Sequence, residues 1–208
     1  MRMSRALPLA VLPLLFLAAA SVCDARACDY GNGAAEQSAF VPWKIHRPGD
    51  ELPSAPLVLY WIPSSADDFR RSDLLTSRTL ASYVAQCVAL EVVTADDSEL
   101  LDKLGVEGAL PAAVLVDGWG IVVGRIAGEK GVLRAIGVET MVRDGMRARE
   151  AALNDALDDA PKKISAGDRE LGVAIYRRVW LQRCVFPRHG REAERALKKL
   201  GVAVVAGK

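Results

Sequence analysis

The stretch PLVLYWIPSSADDF, residues 56–69, decides the fold of this chain. Its first half, residues 56–62, is a continuous apolar run of strand length with a breaker on each side, which is typical of a strand buried on both faces. Strands of this kind belong to parallel or mixed sheets that helices cover. In the second half, Asp67 and Asp68 favour a helix start, because carboxylates accept hydrogen bonds from free N–H groups and suit the positive helix end.

Further strands are predicted between this stretch and residue 128. VALEVV, residues 88–93, is a second apolar run, and residues 111–117 supply a third. DGWG then marks a tight turn, and residues 121–128 return as a fourth strand. The order strand, helix, strand, helix, hairpin and closing helix predicts an α/β fold with a mixed sheet flanked by helices.

Two short helices are predicted between these strands. Leu80, Val84 and Cys87 fall at i, i+4 and i+7, so they predict one apolar helix face before the second strand. SELLDKL, residues 98–104, predicts a second helix, which Gly105 ends.

The rest of the chain is helical, and we predict an all-α helical hairpin extension over residues 141–208. Residues 138–160 are rich in Ala, Arg, Glu and Leu, and Pro161 is predicted to interrupt this helix. A Gly-Asp pair starts the next helix within residues 165–184, and REAERALKKLGV, residues 191–202, is a last amphipathic helix.

The helix within residues 165–184 carries two apolar stripes. Leu171, Ile175 and Val179 form one stripe, whereas Tyr176, Trp180 and Cys184 form the other; a helix that is apolar on two sides is expected to pack between neighbours.

The N-terminal residues 1–27 are predicted to be a secretory signal peptide. Arg2 and Arg5 precede an apolar run, and small residues around Arg26 predict cleavage after Ala27. The mature protein is therefore expected to be exported, to a periplasm or out of the cell. An uncleaved anchor is an alternative, and Cys23 or Cys28 near the cut leaves lipid attachment open. Residues 28–51 form a polar lead-in segment without periodicity.

Charge is divided unevenly along the chain. Residues 28–140 carry 9 basic and 16 acidic residues, a net of −7, whereas residues 141–208 carry 15 and 9, a net of +6. We favour attraction between the two halves, or simple solvation, as the explanation. An anionic partner such as lipid headgroups is the alternative. Export and the acidic residues interleaved in the basic tail argue against nucleic-acid binding.

Residues 52–140 resemble the thioredoxin-like fold superfamily. The features that carry the resemblance are the strand PLVLYWI, the helix start after it, the approach KLGVEGALPA to Pro111, and the DGWG hairpin. In that family a cis proline stands at the position of Pro111 and faces the active site. The resemblance implies a groove that binds extended polypeptide, formed here by Ser64, Ser65, Ala66, Asp67, Asp68, Phe69, Leu110 and Pro111.

The reactive residues of that family are replaced in this sequence. Its C-x-x-C motif would fall on Ala66 to Phe69, and its buried acid on Tyr60. Such enzymes work because the positive helix end lowers the pKa of a thiol and so makes it a good nucleophile. In this sequence the residues at that helix end are Asp67 and Asp68, whose carboxylates do not exchange disulfides.

The helical extension resembles a tetratricopeptide-type hairpin. AGDRELGVAIYRRVWLQRCVFP, residues 166–187, has the Gly-Asp turn, the Ala and Tyr of the helix, and a Pro after it. A single unit of this kind does not bury its own apolar face, so it is expected to pack on the neighbouring domain.

Cysteine and histidine residues offer few other sites. Cys28, Cys87 and Cys184 are the candidate thiols of the exported chain; Cys87 and Cys184 are interpreted as core residues, and a bridge from Cys28 to either stays open. His46 and His189 are the two histidines in the sequence, so we predict neither a metal site nor a cofactor. Without a base nearby in sequence, Ser64 and Ser65 are interpreted as turn residues.

The leading hypothesis is an exported, redox-inactive thioredoxin-like protein that binds a protein or peptide partner or acts as a scaffold. The alternative is a thiol-disulfide oxidoreductase or peroxidase-like enzyme that uses a lone cysteine.

Overall fold

A computed structural model of the chain describes residues 40–106 and 108–204. The predicted signal peptide, the lipid-attachment alternative and Cys28 lie outside these residues. The described residues belong to one compact unit, residues 38–208. Its strands are β1 (Lys44–His46), β2 (Leu57–Ile62), β3 (Val88–Val93), β4 (Ala112–Asp117) and β5 (Val122–Ala127). Its helices are α1 (Ala66–Arg71), α2 (Arg78–Val84), α3 (Ser98–Leu104), α4 (Ala135–Ser165), α5 (Arg169–Leu181) and α6 (Pro187–Lys199), with a 3₁₀ helix at Asp73–Leu75.

The strands form one mixed sheet in the order β1-β3-β2-β4-β5. β1, β3 and β2 run parallel, β4 is antiparallel to β2, and β5 is antiparallel to β4. The register places Tyr60 opposite Glu91 and Ile62 opposite Ala112. The predicted α/β class, a mixed sheet with flanking helices, is confirmed, and the arrangement is compatible with a thioredoxin-like fold.

β2 forms the centre of the core, as its apolar run predicts. All six of its residues are buried. Leu57, Leu59 and Trp61 belong to the hydrophobic cluster that also includes residues of α4, α5 and α6. The alternate residues of the strand, Val58, Tyr60 and Ile62, pack with α3 on the other face of the sheet. Full burial of one such side chain stabilises the fold by about 1.5–3 kcal/mol, so the strand anchors both layers.

The edge strand β1 was missed by the sequence analysis, which placed residues 28–51 in an irregular lead-in segment. β1 has three residues, and His46 alone among them is buried. A strand this short at a sheet edge shows no apolar run and no alternation long enough to detect.

The predicted apolar face of Leu80, Val84 and Cys87 is wrong. α2 ends at Val84, which is exposed, and the buried residues of this helix are Leu80 and Tyr83. The N–H groups of Gln86 and Cys87 bond to the carbonyls of Tyr83 and Val84, three residues back, and Cys87 adopts a positive φ of 62°. This tight turn leads directly into β3, so Cys87 lies beyond the helix.

Pro161 does not interrupt the long helix, contrary to the prediction. α4 runs for 31 residues, across the predicted boundary at residue 140 and through Pro161. A proline removes one helical hydrogen bond. Leu157 and Ala160, which are buried just before it, and Ile164, which packs against the core just after it, keep the chain helical.

The predicted packing of α5 between neighbours is confirmed, because α5 contacts both α4 and α6. The stripes are only partly correct. Tyr176, Val179 and Trp180 are buried, but Leu171 is exposed, and Cys184 follows the helix end. None of the helices within the described ranges is long and apolar enough to cross a membrane.

Candidate functional site

The predicted site residues lie at one end of the sheet, which we call the carboxyl end because the parallel strands β1, β2 and β3 all finish there. Ile62 pairs with Ala112 in antiparallel register, so Pro63 and Pro111 follow side by side at this end. The Leu110–Pro111 peptide bond is cis, as the resemblance implies. In α/β sheets, this end is where ligands commonly bind.

A reciprocal cap forms the start of α1. Ser65 is the N-cap residue, and its Oγ accepts a hydrogen bond from the backbone N–H of Asp68 at 3.1 Å. In return, Oδ2 of Asp68 accepts from the backbone N–H of Ser64 at 2.9 Å and from its hydroxyl at 3.2 Å. This arrangement satisfies N–H groups that a helix start otherwise leaves free. Both serines are therefore turn residues, as predicted, and Ser65 is in addition the N-cap residue, which was not predicted.

The two aspartates differ in their roles. Asp68 joins the cap, whereas Asp67 points to the surface and pairs with Arg70 at 3.1 Å. The prediction that both carboxylates cap the helix is therefore only partly correct, because Ser65 is the N-cap residue. Serine is as good an N-cap residue as aspartate, and Ser65 directly precedes the first helical residue, Ala66.

Aromatic rings hold α1 against the sheet. The ring of Phe69 stacks on the buried ring of Trp61 at 5.2 Å, and Trp43 packs against Trp61 at 5.3 Å. The indole N–H of Trp43 donates to the carbonyl of Leu74 at 3.1 Å. The helix start is thus fixed on a rigid support.

The predicted groove residues line two separate clefts. Ser64, Ser65, Ala66 and Phe69 border a cleft of about 430 Å³ towards β1 and β3, which we call the β1-side cleft. Asp67 and Asp68 border a second cleft of about 290 Å³, which we call the β5-side cleft; residues 131–134 form its other wall.

Leu110 and Pro111 line neither of these two clefts. Pro111 is buried, and Leu110 packs into the core on the α3 face. The turn after β5 covers the proline: the N–H of Gly128 donates to the carbonyl of Pro111 at 2.7 Å. A Cβ at Gly128 would lie 2.9 Å from the proline ring, so glycine is what permits this close cover.

A buried polar cluster beside the carboxyl end of the sheet was not predicted from the sequence. Glu91 in β3 is 3% exposed, and its carboxylate lies 3.7 Å from Nζ of Lys44 and 3.9 Å from Nδ1 of His46. On its other side, His46 lies 3.9 Å from the carboxylate of Asp97, which caps α3. Burial raises the pKa of Glu91, and burial together with Glu91 raises the pKa of Tyr60 to about 12.

One signal in the sequence could have revealed this cluster. Glu91 is the single charged residue in the apolar strand VALEVV, and a charge inside a buried strand is rare without partners. The partners His46 and Asp97 lie in other segments, so their proximity needs the fold. Within the described residues, no group of three or more His, Cys, Asp or Glu side chains has the geometry to hold a metal ion.

Cys87 and Cys184 form a disulfide bond, with their Cα atoms 5.9 Å apart. Their interpretation as unlinked core thiols is therefore wrong; Cys184 is exposed, and Cys87 packs only partly against the core. The bond joins the start of β3 to the loop before α6. The two positions are 97 apart in the sequence, so spacing alone did not predict the pairing.

No protein-family model matches the chain, and no curated protein matches it either. Function therefore has to be argued from the geometry.

Proposed function

We propose that the protein is an exported, redox-inactive thioredoxin-like protein that binds an extended polypeptide segment at the carboxyl end of its sheet. The observation that carries the proposal is the cap of Ser65 and Asp68 at the carboxyl end of the sheet. Where thioredoxin-like enzymes keep thiols at a helix start, this chain has side-chain oxygens that satisfy that same helix start.

The cap also suggests which residues correspond to the two cysteines. In a C-x-x-C enzyme, the first sulfur sits where it meets the free N–H groups of the helix. Ser65 holds that position, and Asp68, three residues later, supplies the N–H that Ser65 accepts. The segment that corresponds to the C-x-x-C motif is then Ser65 to Asp68. This is one residue earlier than Ala66 to Phe69, the segment obtained by counting from the strand.

The β5-side cleft is the better docking place for a polypeptide. It has charges of both signs, including Asp67, Arg71 and Arg134, and an apolar side chain, Val132, which is 47% exposed. Oδ1 of Asp73 accepts from the N–H of Ala135 at 2.9 Å and so ties the two walls together. A cleft with fixed walls loses less conformational entropy when it binds a ligand.

The test is a peptide selection followed by affinity measurements. Peptides displayed on phage are selected on the purified protein, and the Kd of a selected peptide is measured for the wild type and for Val132→Glu. Val122→Glu is the matched control, because Val122 is also partly exposed but lies at the far end of β5. We expect Val132→Glu to weaken binding about tenfold or more and the control to leave it unchanged.

Equal weakening by both variants, or no selected peptide, would overturn the proposal.

The competing hypothesis of a lone-cysteine enzyme now depends on Cys28, which lies outside the described residues, because the disulfide occupies Cys87 and Cys184. Alkylation of the native exported protein near neutral pH separates the two hypotheses: rapid labelling of Cys28 together with peroxide or disulfide turnover would favour the enzyme.

A further inference from the structure

A second concave site lies away from the proposed polypeptide site, between α4 and the start of α6. Its volume is about 410 Å³, which is the size of a small-molecule pocket. Its walls include Tyr83 and Gln86, which come shortly before β3, so it lies at the opposite end of the sheet from Pro111. Tyr83, Val185 and Phe186 are nearly fully buried and give it an apolar floor.

Four arginines line this site, which we call the arginine cleft. Arg143 and Arg147 come from α4, and Arg188 and Arg191 come from α6; Glu150 is the one carboxylate among the lining residues. The cleft therefore carries a large excess of positive charge inside a concave surface, which focuses the field on an anion.

Internal pairing does not account for these arginines. Arg143 and Arg147 share the exposed carboxylate of Asp144 at 3.6 and 3.8 Å, which is a weak surface arrangement. Neither Arg188 nor Arg191 has an ion-pair partner in the part of the chain that the structure describes. Attraction between the acidic and basic halves is instead seen at Arg149, which reaches the buried Asp117 at 3.2 Å.

The start of α6 adds to the field in the cleft. α6 has 13 residues, and its N-cap residue, Phe186, offers no side-chain acceptor. The positive end of the helix thus meets the cleft without a capping oxygen, which favours an anion there. His189 fixes this end in place, because its Nε2 lies 2.9 Å from Oδ1 of Asn154 in α4.

We propose that the arginine cleft binds a small organic anion that bears a phosphoryl group. The planar guanidinium groups match phosphate oxygens in pairs, and several of them suit a group with more than one negative charge. The apolar floor accommodates the organic part of the ligand. This inference does not depend on the proposed polypeptide site.

The test measures the binding of pyrophosphate to the purified protein by calorimetry at low ionic strength. We expect wild-type binding, and a loss of affinity of about tenfold or more in Arg188→Gln/Arg191→Gln. The matched control is Arg195→Gln/Lys199→Gln, which removes the same charge from the same helix outside the cleft. It should change the affinity by no more than about twofold.

The absence of pyrophosphate binding by the wild type, or equal losses in the two double variants, would overturn the proposal. A second arm identifies the source of the phosphoryl group, with sedimentation of phosphatidylglycerol vesicles against phosphatidylcholine vesicles. Vesicle binding that pyrophosphate displaces and that Arg188→Gln/Arg191→Gln abolishes points to a lipid headgroup. Pyrophosphate binding without vesicle binding points to a soluble phosphate compound.

Discussion

Glu91 is a buried carboxylate whose pKa departs from its ordinary value. Its carboxylate is buried in β3, and Lys44, the cation nearest to it, is itself largely solvated. Burial therefore outweighs the attraction of Lys44 and His46, and the pKa of Glu91 rises above its ordinary value of 4.5. At neutral pH, ionising the Glu91 carboxylate therefore costs free energy in the folded protein that it does not cost in the unfolded chain.

We predict that Glu91→Gln stabilises the protein at neutral pH, by on the order of 1 kcal/mol. A raised folded pKa gives stability that is complete below the unfolded pKa and is lost as the pH rises through the folded pKa. The advantage of the glutamine should therefore vanish below about pH 4.5 and grow above it. Urea unfolding at several pH values measures this difference.

Glu99→Gln is the control for that series. Glu99 is exposed, and its hydrogen bond with Lys103 lowers its pKa, so its small contribution has the opposite pH dependence. If Glu91→Gln destabilised the protein equally at all pH values, a structural role for the carboxylate would replace the argument from burial.

At the scale of single residues, the sequence predicts what depends on local chemistry. The roles of Ser64 and Ser65 in the turn follow from their position before a helix. The surroundings of Glu91 do not, because Lys44 and His46 in β1 and Asp97 before α3 belong to two other segments that only the fold brings together. The disulfide partner of Cys87 was hidden for the same reason.

At the scale of elements, α4 and α5 approach each other closely at Gly172. A Cβ at Gly172 would lie 2.9 Å from the carbonyl oxygen of Ala160 and closer still to Ile164. Glycine is normally a weak helix residue, so the close approach explains its presence within α5.

We predict that Gly172→Ala destabilises the protein by about 1–3 kcal/mol, although the same change usually favours a helix. Gly137→Ala in α4 is the matched control, because its new Cβ meets only the flexible end of Ile126. Thermal unfolding of both variants measures the effect. A stabilised Gly172→Ala would show that the two helices are free to separate.

The start of α1 allows a second prediction at this scale. Ser65→Cys/Asp68→Cys places two thiols at the capping positions. With dithiothreitol as the reductant, we expect the dithiol to reduce insulin faster than the wild type does; the pair is thereby oxidised to a disulfide, which dithiothreitol reduces again. Ala66→Cys/Phe69→Cys, shifted by one residue, is the control and should gain less, because its first sulfur is displaced from the capping position. Equal activity of the two variants would contradict the assignment from the cap.

Element prediction succeeds where burial is continuous and fails at ends. β2 is apolar along its whole length, and β3 and β4 each carry a single charged residue, Glu91 and Asp117, so these strands were predicted nearly to the residue. β1 is too short to show a pattern, and α2 stops early because a tight turn follows it. Pro161 shows that packing on both sides outweighs a local helix breaker.

At the scale of the whole molecule, the Cys87–Cys184 bond links the sheet to the helical extension. A cross-link that closes a loop of 97 residues is worth about 4.7 kcal/mol in the chain-entropy treatment. We predict that Cys87→Ser/Cys184→Ser lowers the free energy of unfolding by a comparable amount, measured by urea denaturation. Cys28→Ser is the control and should leave this value unchanged. Peptide mapping without reduction that found Cys28 joined to either residue would contradict the assignment.

The same bond makes β3, α3, β4, β5, α4 and α5 a closed covalent ring. A protease that cuts once anywhere inside the ring, for instance in the exposed hairpin at Trp119, leaves two pieces that stay attached. The nicked protein would migrate as one species until a reductant is added. How long the cut protein holds together would then depend on how oxidising its surroundings are, as well as on how well the chain resists cutting.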